Sequence, residues 1–267
     1  MLEEVASPDQ NSISTGDRGA LLDWKAFEAH SIPTKSINLP LLFEEALLQA
    51  AQAVGLQAAN AAAVQHHGLQ ILELGCGCGE LAENLSAQGH DVVGVDANEN
   101  AISLARERKH VNRCRFLVDD VTTFKISNYS THNDGVDQSF DFCILQSLLS
   151  IVGNVAKRRQ AIATAHRSLK KGGYIYLSCS GVSDTINSNY KQVYEQDYFA
   201  TQEIYTYYSR DADGNILYTT HHFTVRELTE MLEEGGFVDV HVQEVQEKSS
   251  RRPEEVANFL YAMARKP

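Results

Sequence analysis

The stretch Ile71-Leu-Glu-Leu-Gly-Cys-Gly-Cys-Gly-Glu80 carries more of the fold than any other part of the chain. The apolar run from Leu69 to Leu74 predicts a short buried strand, and three glycines follow at alternate positions, Gly75, Gly77 and Gly79. A helical pattern with Leu81 and Leu85 begins at once. A strand that turns on glycines into a helix brings bare backbone up to a ligand at the positive end of that helix. The dinucleotide form of this turn spaces its glycines G-x-G-x-x-G. Here the third glycine arrives one residue early and Glu80 stands in its place. Glu73 adds an acid just before the turn, which suits a ligand with an ammonium group better than one with a pyrophosphate.

Three further apolar runs end in polar groups. Asp91-Val-Val-Gly-Val-Asp96 places an acid about 20 residues after the glycines, the distance at which a doubly wound fold sets a carboxylate against ribose hydroxyls. Cys114–Val118 ends in Asp119-Asp120-Val121, and Phe140–Leu145 ends in Gln146-Ser147. Polar groups at successive strand ends are expected where one ligand lies across the carboxyl edge of a parallel sheet. Each also has a plainer reading, the aspartates as turn residues and Gln146 as a cap.

Taken in order, E-L-G-C-G-C-G, V-V-G-V-D, L-V-D-D-V, F-D-F-C-I-L-Q and L-K-K-G-G-Y-I-Y-L resemble the class I S-adenosylmethionine-dependent methyltransferases. The likeness covers roughly 69–180 and resumes over 223–265. It implies an α/β, Rossmann-like doubly wound sheet of seven mostly parallel strands with an antiparallel last strand, N-terminal helices, and an inserted cap over the active site. It also implies S-adenosyl-L-methionine as cofactor and S-adenosyl-L-homocysteine as product. Glu73 and the backbone of Gly75 and Gly77 would hold the methionine part, with Cys76 and Gly79 in the same turn. Asp96 would take both ribose hydroxyls, and Ala97 would pack beside the adenine. Asp120 would accept from the adenine amino group and the Val121 amide would meet a ring nitrogen. Asp119 competes with Asp120, because a one-residue shift of register exchanges which of them faces the pocket. Gln146 would lie near the cofactor amino group, and Ser147 to Ser150 near the methyl.

Composition limits the partners. A chain of 267 residues is one large domain, or one domain with a cap. Its 43% hydrophobic and 22% charged content is ordinary for a globular enzyme. A net charge of −12 argues against a nucleic-acid substrate, because phosphate binding needs a basic surface. The basic clusters Arg106–Lys109, Lys157–Arg159 and Lys170-Lys171 read mostly as exposed helix faces or ends. No apolar run approaches the roughly 20 residues of a membrane span, and the N-terminus lacks a secretory signal. The expectation is a cytoplasmic monomer or homodimer acting on a small molecule, with no membrane partner. Of five cysteines, three sit in strands, and Cys76-x-Cys78 lacks the spacing and second ligand pair of a zinc site. No metal is expected.

The chain divides into a polar tail over 1–20, a helical segment over 21–66, a core over 67–180, an insertion over 181–222 and a completion of the sheet over 223–267. The helical segment carries one pattern at Leu21–Ala29 and a second from Leu39 to about Val64, starting at Leu39-Pro40. In the last part a helix starts at Thr224 and closes at Gly235-Gly236. Strands follow at Val238–Val245 and Ala257–Arg265.

Seven of the eleven tyrosines fall in the insertion. Asp211-Ala-Asp-Gly-Asn215 predicts the turn of a hairpin between Ile204–Ser209 and Ile216–Thr220. Tyr190, Tyr194, Tyr198 and Tyr207, with Ser150, are the candidate acceptor wall, since aromatic faces attract a sulfonium or an amine. Tyrosines also simply suit strands. Methyl transfer is an in-line displacement governed by alignment and desolvation, yet a proton must leave a hydroxyl, amine or activated carbon acceptor. His222 and His221 are the candidate general bases, with packing at the following helix start as the alternative. The Asp-Asn pair of metal-assisted catechol chemistry and an asparagine-proline motif are both absent after the fourth strand. The competing functions are a non-catalytic cofactor-binding subunit and a nicotinamide oxidoreductase.

Overall fold

The computed structural model describes residues 39–56, 68–129, 139–248 and 255–267. The tail over 1–20, the helical pattern at Leu21–Ala29 and the stretch 57–64 lie outside the described residues. The helices are α1 (Leu41–Ala53), α2 (Glu80–Ala87), α3 (Glu99–Arg106), α4 (Val155–Ser168), α5 (Ser188–Thr201) and α6 (Val225–Glu234). The strands are β1 (Gln70–Leu74), β2 (Asp91–Asp96), β3 (Cys114–Val118), β4 (Phe140–Gln146), β5 (Leu169–Ser180), β6 (Thr206–Arg210), β7 (Ile216–His221), β8 (Val238–Lys248) and β9 (Val256–Arg265).

Seven strands form one sheet in the order β3-β2-β1-β4-β5-β9-β8, and β6 with β7 forms a separate ribbon. Pairs from β3 through β5 are parallel, while β9 runs antiparallel to both β5 and β8. The sheet is therefore mostly parallel with an antiparallel last strand. Its order reverses between β1 and β4, the switch point at which such sheets open a crevice at their carboxyl edge.

Burial explains the apolar runs. Every residue of β4 is buried, as expected of a parallel strand covered on both faces. On one face Leu72, Leu145 and Leu177 pack with Ile162 of α4 and Leu228 of α6. On the other, Ile71, Phe142 and Tyr176 pack with Phe43 of α1 and Leu81 of α2. The Phe43 ring meets Tyr176 edge-on at 5.0 Å and Phe142 at 5.9 Å. Each fully buried large apolar side chain contributes about 1.5–3 kcal/mol.

Local signals set the helix ends. Asn98, Asn154 and Thr224 accept the backbone N–H of Ala101, Lys157 and Glu227 at 2.9, 3.1 and 3.1 Å, which opens α3, α4 and α6. The second N-terminal helix, expected to run to about Val64, ends at Ala53. Gly55 stops it at a φ of 75°, a left-handed turn that a helix cannot continue through.

The cap grows from one point. The Phe223 N–H donates to the Ser180 carbonyl at 2.9 Å and the Val182 N–H to the Phe223 carbonyl at 3.0 Å, so the segment leaves and re-enters the core side by side. The expected hairpin is present, with Asp211 accepting the N–H of Asp213 and Asn215 at its turn. The first half of the insertion holds helix α5. Its buried residues Tyr190, Tyr194 and Asp197 fall on one helical face. Asp197 then holds the hairpin, accepting the Tyr208 N–H at 2.9 Å and two Arg210 bonds at 2.7 and 2.8 Å.

Candidate active site

The glycine turn is a left-handed path. Gly75, Gly77 and Gly79 have φ of 74°, 56° and 78°, where a side chain costs strain. Space forbids one as well: a Cβ on Gly79 would lie 2.9 Å from the Ala105 Cβ and 3.0 Å from the Phe116 ring. The turn is tied to β2, because the Gly75 and Cys76 N–H groups donate to the Val95 carbonyl at 2.7 and 3.1 Å.

Asp96 completes the tie. Its Oδ2 accepts the Gly77 N–H and its Oδ1 the Asn98 N–H, both at 2.9 Å. Each carboxylate oxygen has a second acceptor direction, so the half-buried group retains the capacity to take two hydroxyls. The two hydroxyls of a ribose, as donors, fit this pair of acceptors. Glu73 is wholly buried in β1 directly before the turn, and Ala97 follows Asp96 at the edge.

Glu80 opens α2 and faces Arg108, which lies 3.3 Å from its carboxylate, 3.4 Å from the Cys78 carbonyl and 2.7 Å from Glu83. The helix N-terminus on which a dinucleotide would rest its pyrophosphate thus carries a carboxylate. Burial first, and then the charges of Glu80 and Asp96, push the Cys78 thiol up. It is a thiol near neutral pH, not a thiolate nucleophile.

At the end of β3, Asp119 accepts the Asp120 N–H at 2.7 Å, and Asp120 accepts the Thr122 N–H and hydroxyl at 2.9 and 2.7 Å. Val121 beside them is buried. At the end of β4, Gln146 is buried and Ser147 takes a φ of 52°, a strained conformation for a residue with a side chain. The Ser147 N–H donates to the Ser178 carbonyl and hydroxyl, each at 3.0 Å. Ser150 is a brace against β5, its hydroxyl accepting the Ser180 N–H at 2.8 Å.

The cap gathers Tyr190, Tyr194 and Tyr207 around His222. The ring centroids of those tyrosines lie 4.9, 5.7 and 5.3 Å from that of His222. The Tyr194 hydroxyl sits 2.6 Å from His222 Nδ1, and the Tyr207 hydroxyl 3.3 Å from Nε2. Burial, reinforced by Tyr207, pushes the Tyr194 hydroxyl far up, so it is a neutral phenol. Tyr198 does not join them. It is 43% exposed on α5, beside the still more exposed Phe199.

His221 points to the other side of the hairpin, as strand alternation requires. Its Nδ1 lies 2.7 Å from the Thr206 hydroxyl and its Nε2 3.0 Å from Glu227. Ligating atoms of Glu203, His221 and Glu227 come within 4.8 Å of one another, and the Arg158 guanidinium pairs with Glu203 and acts on Glu227 through its charge. Burial alone would raise the Glu227 carboxyl. The His221 bond and the charges of His221 and Arg158 outweigh it and hold that carboxyl low. Arg158 corrects one expectation. The cluster Lys157–Arg159 reads as an exposed helix face, yet Arg158 is wholly buried and ion-paired with Glu203. Sequence reading missed both, since the partners stand 45 positions apart with no local pattern between them.

A family model described as a methyltransferase domain matches residues 65–236. Ubiquinone biosynthesis O-methyltransferase of Azoarcus sp. is 30% identical over 46% of this chain and 47% of its own length. The protein of that name from Hydrogenovibrio crunogenus is 26% identical over 50% and 49%. The chain spans about half the length of the curated relatives it matches. A crystal structure of a SAM-dependent methyltransferase from Methanosarcina mazei is 27% identical with a TM-score of 0.65, covering 74% of this chain and 92% of that one. Phosphoethanolamine N-methyltransferase 2 of Haemonchus contortus shares the fold, at 16% identity and a TM-score of 0.53 over 84% of this chain and 53% of that one.

Proposed function

This chain belongs to the methyltransferase-domain family, and from that premise we propose that it moves a methyl group from S-adenosyl-L-methionine to a small-molecule acceptor. The observation that carries this reading is the pairing of a three-glycine turn with Asp96, whose carboxylate braces the turn and keeps capacity for two hydroxyls. When bound, the cofactor supplies an electrophilic methyl for in-line displacement, leaving S-adenosyl-L-homocysteine.

The chain's own groups do the rest. Gly75, Cys76, Gly77 and Gly79 present backbone, and Glu73 supplies negative charge for an ammonium. Asp96 takes the ribose and Ala97 flanks the base. Asp120, with Asp119 as its competitor, and the Val121 amide read the adenine edge. Gln146 borders the amino-acid end. Glu80 at the start of α2 disfavours a pyrophosphate and with it the nicotinamide alternative.

Tyr190, Tyr194 and Tyr207 form the acceptor wall, and His222 is the general base. His222 meets the Tyr194 hydroxyl at Nδ1 (2.6 Å) and the Tyr207 hydroxyl at Nε2 (3.3 Å). In the tautomer whose Nδ1–H donates to the Tyr194 oxygen, Nε2 is the basic nitrogen, and an acceptor hydroxyl would take the place of Tyr207 there. His221 lies away from the tyrosines, between Thr206 and Glu227 of α6, so it serves the cap's seating. A base of this kind fits a hydroxyl acceptor, as does the name of the O-methyltransferase relatives. The net charge of −12 supports a working partner that is neither nucleic acid nor anionic membrane. No helix among the described residues is long and apolar enough to cross a membrane. Five free cysteines fit a reducing, cytoplasmic setting, as monomer or homodimer.

Calorimetry against S-adenosyl-L-methionine, S-adenosyl-L-homocysteine and NAD tests the cofactor. Binding of both methionine nucleosides is expected, and tight NAD binding without either would overturn the reading. Formation of S-adenosyl-L-homocysteine from S-adenosyl-L-methionine, with each member of a panel of phenols and amines as acceptor, tests the reaction. Cofactor binding with no turnover of any member would favour a non-catalytic subunit.

A further inference from the structure

We propose that Arg158 is a positioning residue that couples the seating of the cap to the loop following β4. The inference rests on the reading of that loop as the border of the cofactor site. Arg158 lies in the first turns of α4 with its side chain wholly buried. Its Nη1 donates to the Val152 and Gly153 carbonyls at 3.3 and 3.1 Å, the closing residues of the loop that begins at Gln146-Ser147. Its Nη2 pairs with Glu203, in the link between α5 and β6. Its Cζ sits 5.8 Å from the ring centroid of Phe223, the residue at which the cap re-enters the core.

One guanidinium therefore joins three segments that are remote in sequence. An exposed arginine on a helix would contribute little. A fully buried one is tolerated only where its partners offset the lost hydration, so the partners are held as firmly as the arginine is. The planar fork matters, because it can grip the loop carbonyls and Glu203 at once, and an ammonium cannot. A second arm runs parallel, from Thr206 through His221 to Glu227 on α6. The cap thus meets the core through this polar face, and also through Tyr190 and Tyr194, which pack with Ala257 and Phe259 of β9.

The loop held by Arg158 also holds the strained Ser147 and buried Gln146. A ligand that favours one setting of this loop must favour the matching seat of the cap, and the coupling is reciprocal. Filling the cofactor site would then order the acceptor wall before any acceptor arrives.

Hydrogen–deuterium exchange across 188–222 of the full chain, with and without S-adenosyl-L-homocysteine, tests this beside calorimetry of the same ligand. Wild type is expected to show slower exchange in the cap when the ligand is bound. Arg158→Lys keeps the charge and loses the fork, and Glu203→Gln keeps the shape and loses the charge. Both should lose most of the ligand-dependent slowing and bind the ligand about 5-fold or more weakly. A merely structural role would speed exchange equally with and without ligand, which would overturn the proposal. So would wild-type slowing retained in the milder Glu203→Gln variant. A wild-type chain that binds no S-adenosyl-L-homocysteine would overturn the cofactor reading, and the coupling with it.

Discussion

Asp96 accepts the backbone N–H of Gly77 at 2.9 Å, joining the end of β2 to the glycine turn 19 residues earlier. The acid therefore shapes the turn, beside the ribose role proposed for it. Two roles in one side chain mean that its removal is felt twice, by the ligand and by the loop.

Asp96→Ala should weaken S-adenosyl-L-homocysteine binding by about 1.5–3 kcal/mol, the worth of hydrogen bonds to a charged group. Asp96→Asn should lose less, since its amide oxygen still accepts from Gly77. Calorimetry checks both, and unchanged affinity in the alanine variant would refute the ribose assignment.

Gly79→Ala should cost about 2–4 kcal/mol of folding stability, combining left-handed strain with crowding. The crowding comes from Ala105 and Phe116. Gly214→Ala is the control. It has a φ of 86° with nothing within 4 Å of a new Cβ, so only the strain of about 1 kcal/mol remains. Urea unfolding of the two variants should separate the contributions.

His222→Ala should lower kcat by about 10²–10⁴-fold, the usual share of a general base, with S-adenosyl-L-homocysteine affinity near wild type. Tyr194→Phe removes the partner of Nδ1 and should lower kcat less, while shifting the pH profile. His221→Gln should loosen the cap and lower the melting temperature. Steady-state rates with an acceptor from the panel decide between the two histidines, and a full rate in His222→Ala would leave that residue structural.

Acid should erase the contribution of Asp197. Burial alone would raise its carboxyl, but the Arg210 bonds and the Tyr208 N–H outweigh that and hold it low. A carboxyl depressed on folding stabilises above its unfolded value of about 3.9, and that stability fades as pH falls through the lower folded value. Asp197→Asn should therefore be less stable than wild type by about 1.5–3 kcal/mol near neutral pH, and the gap should close below about pH 4. Denaturant melts at a series of pH values read it, and a gap independent of pH would contradict the assignment.

The sheet was legible because parallel strands buried on both faces are written as unbroken apolar runs, as in Phe140–Leu145, and because three alternate glycines mark the turn after β1. Asp96, Glu73 and Gln146 could be singled out since each interrupts or ends such a run. The cap was less legible. Its hairpin announced itself through Asp211–Asn215, but α5 was overlooked, although Tyr190, Tyr194 and Tyr198 recur every four residues, a helical spacing. That same spacing grouped Tyr198 with its neighbours, while the structure leaves it exposed at the rim. Arg158 could not be read at all. A buried ion pair depends on where two distant segments meet, and composition makes such an arginine look like any other surface charge.

The junction at Gly181 and Phe223 has a consequence for how this chain can change. Because entry and exit are bridged, everything between them is a cassette with a single backbone root, seated on the core by Glu203 and His221. Lengthening it at the hairpin turn costs only the slowly growing entropy of a larger closed loop and leaves the sheet's pairing intact, whereas replacing it whole must also supply Arg158 with a partner in place of Glu203. On the proposed function, a new acceptor would be acquired by exchanging the cassette at its root while the nucleoside half stays as it is. The same junction marks where a graft between two such enzymes should be cut.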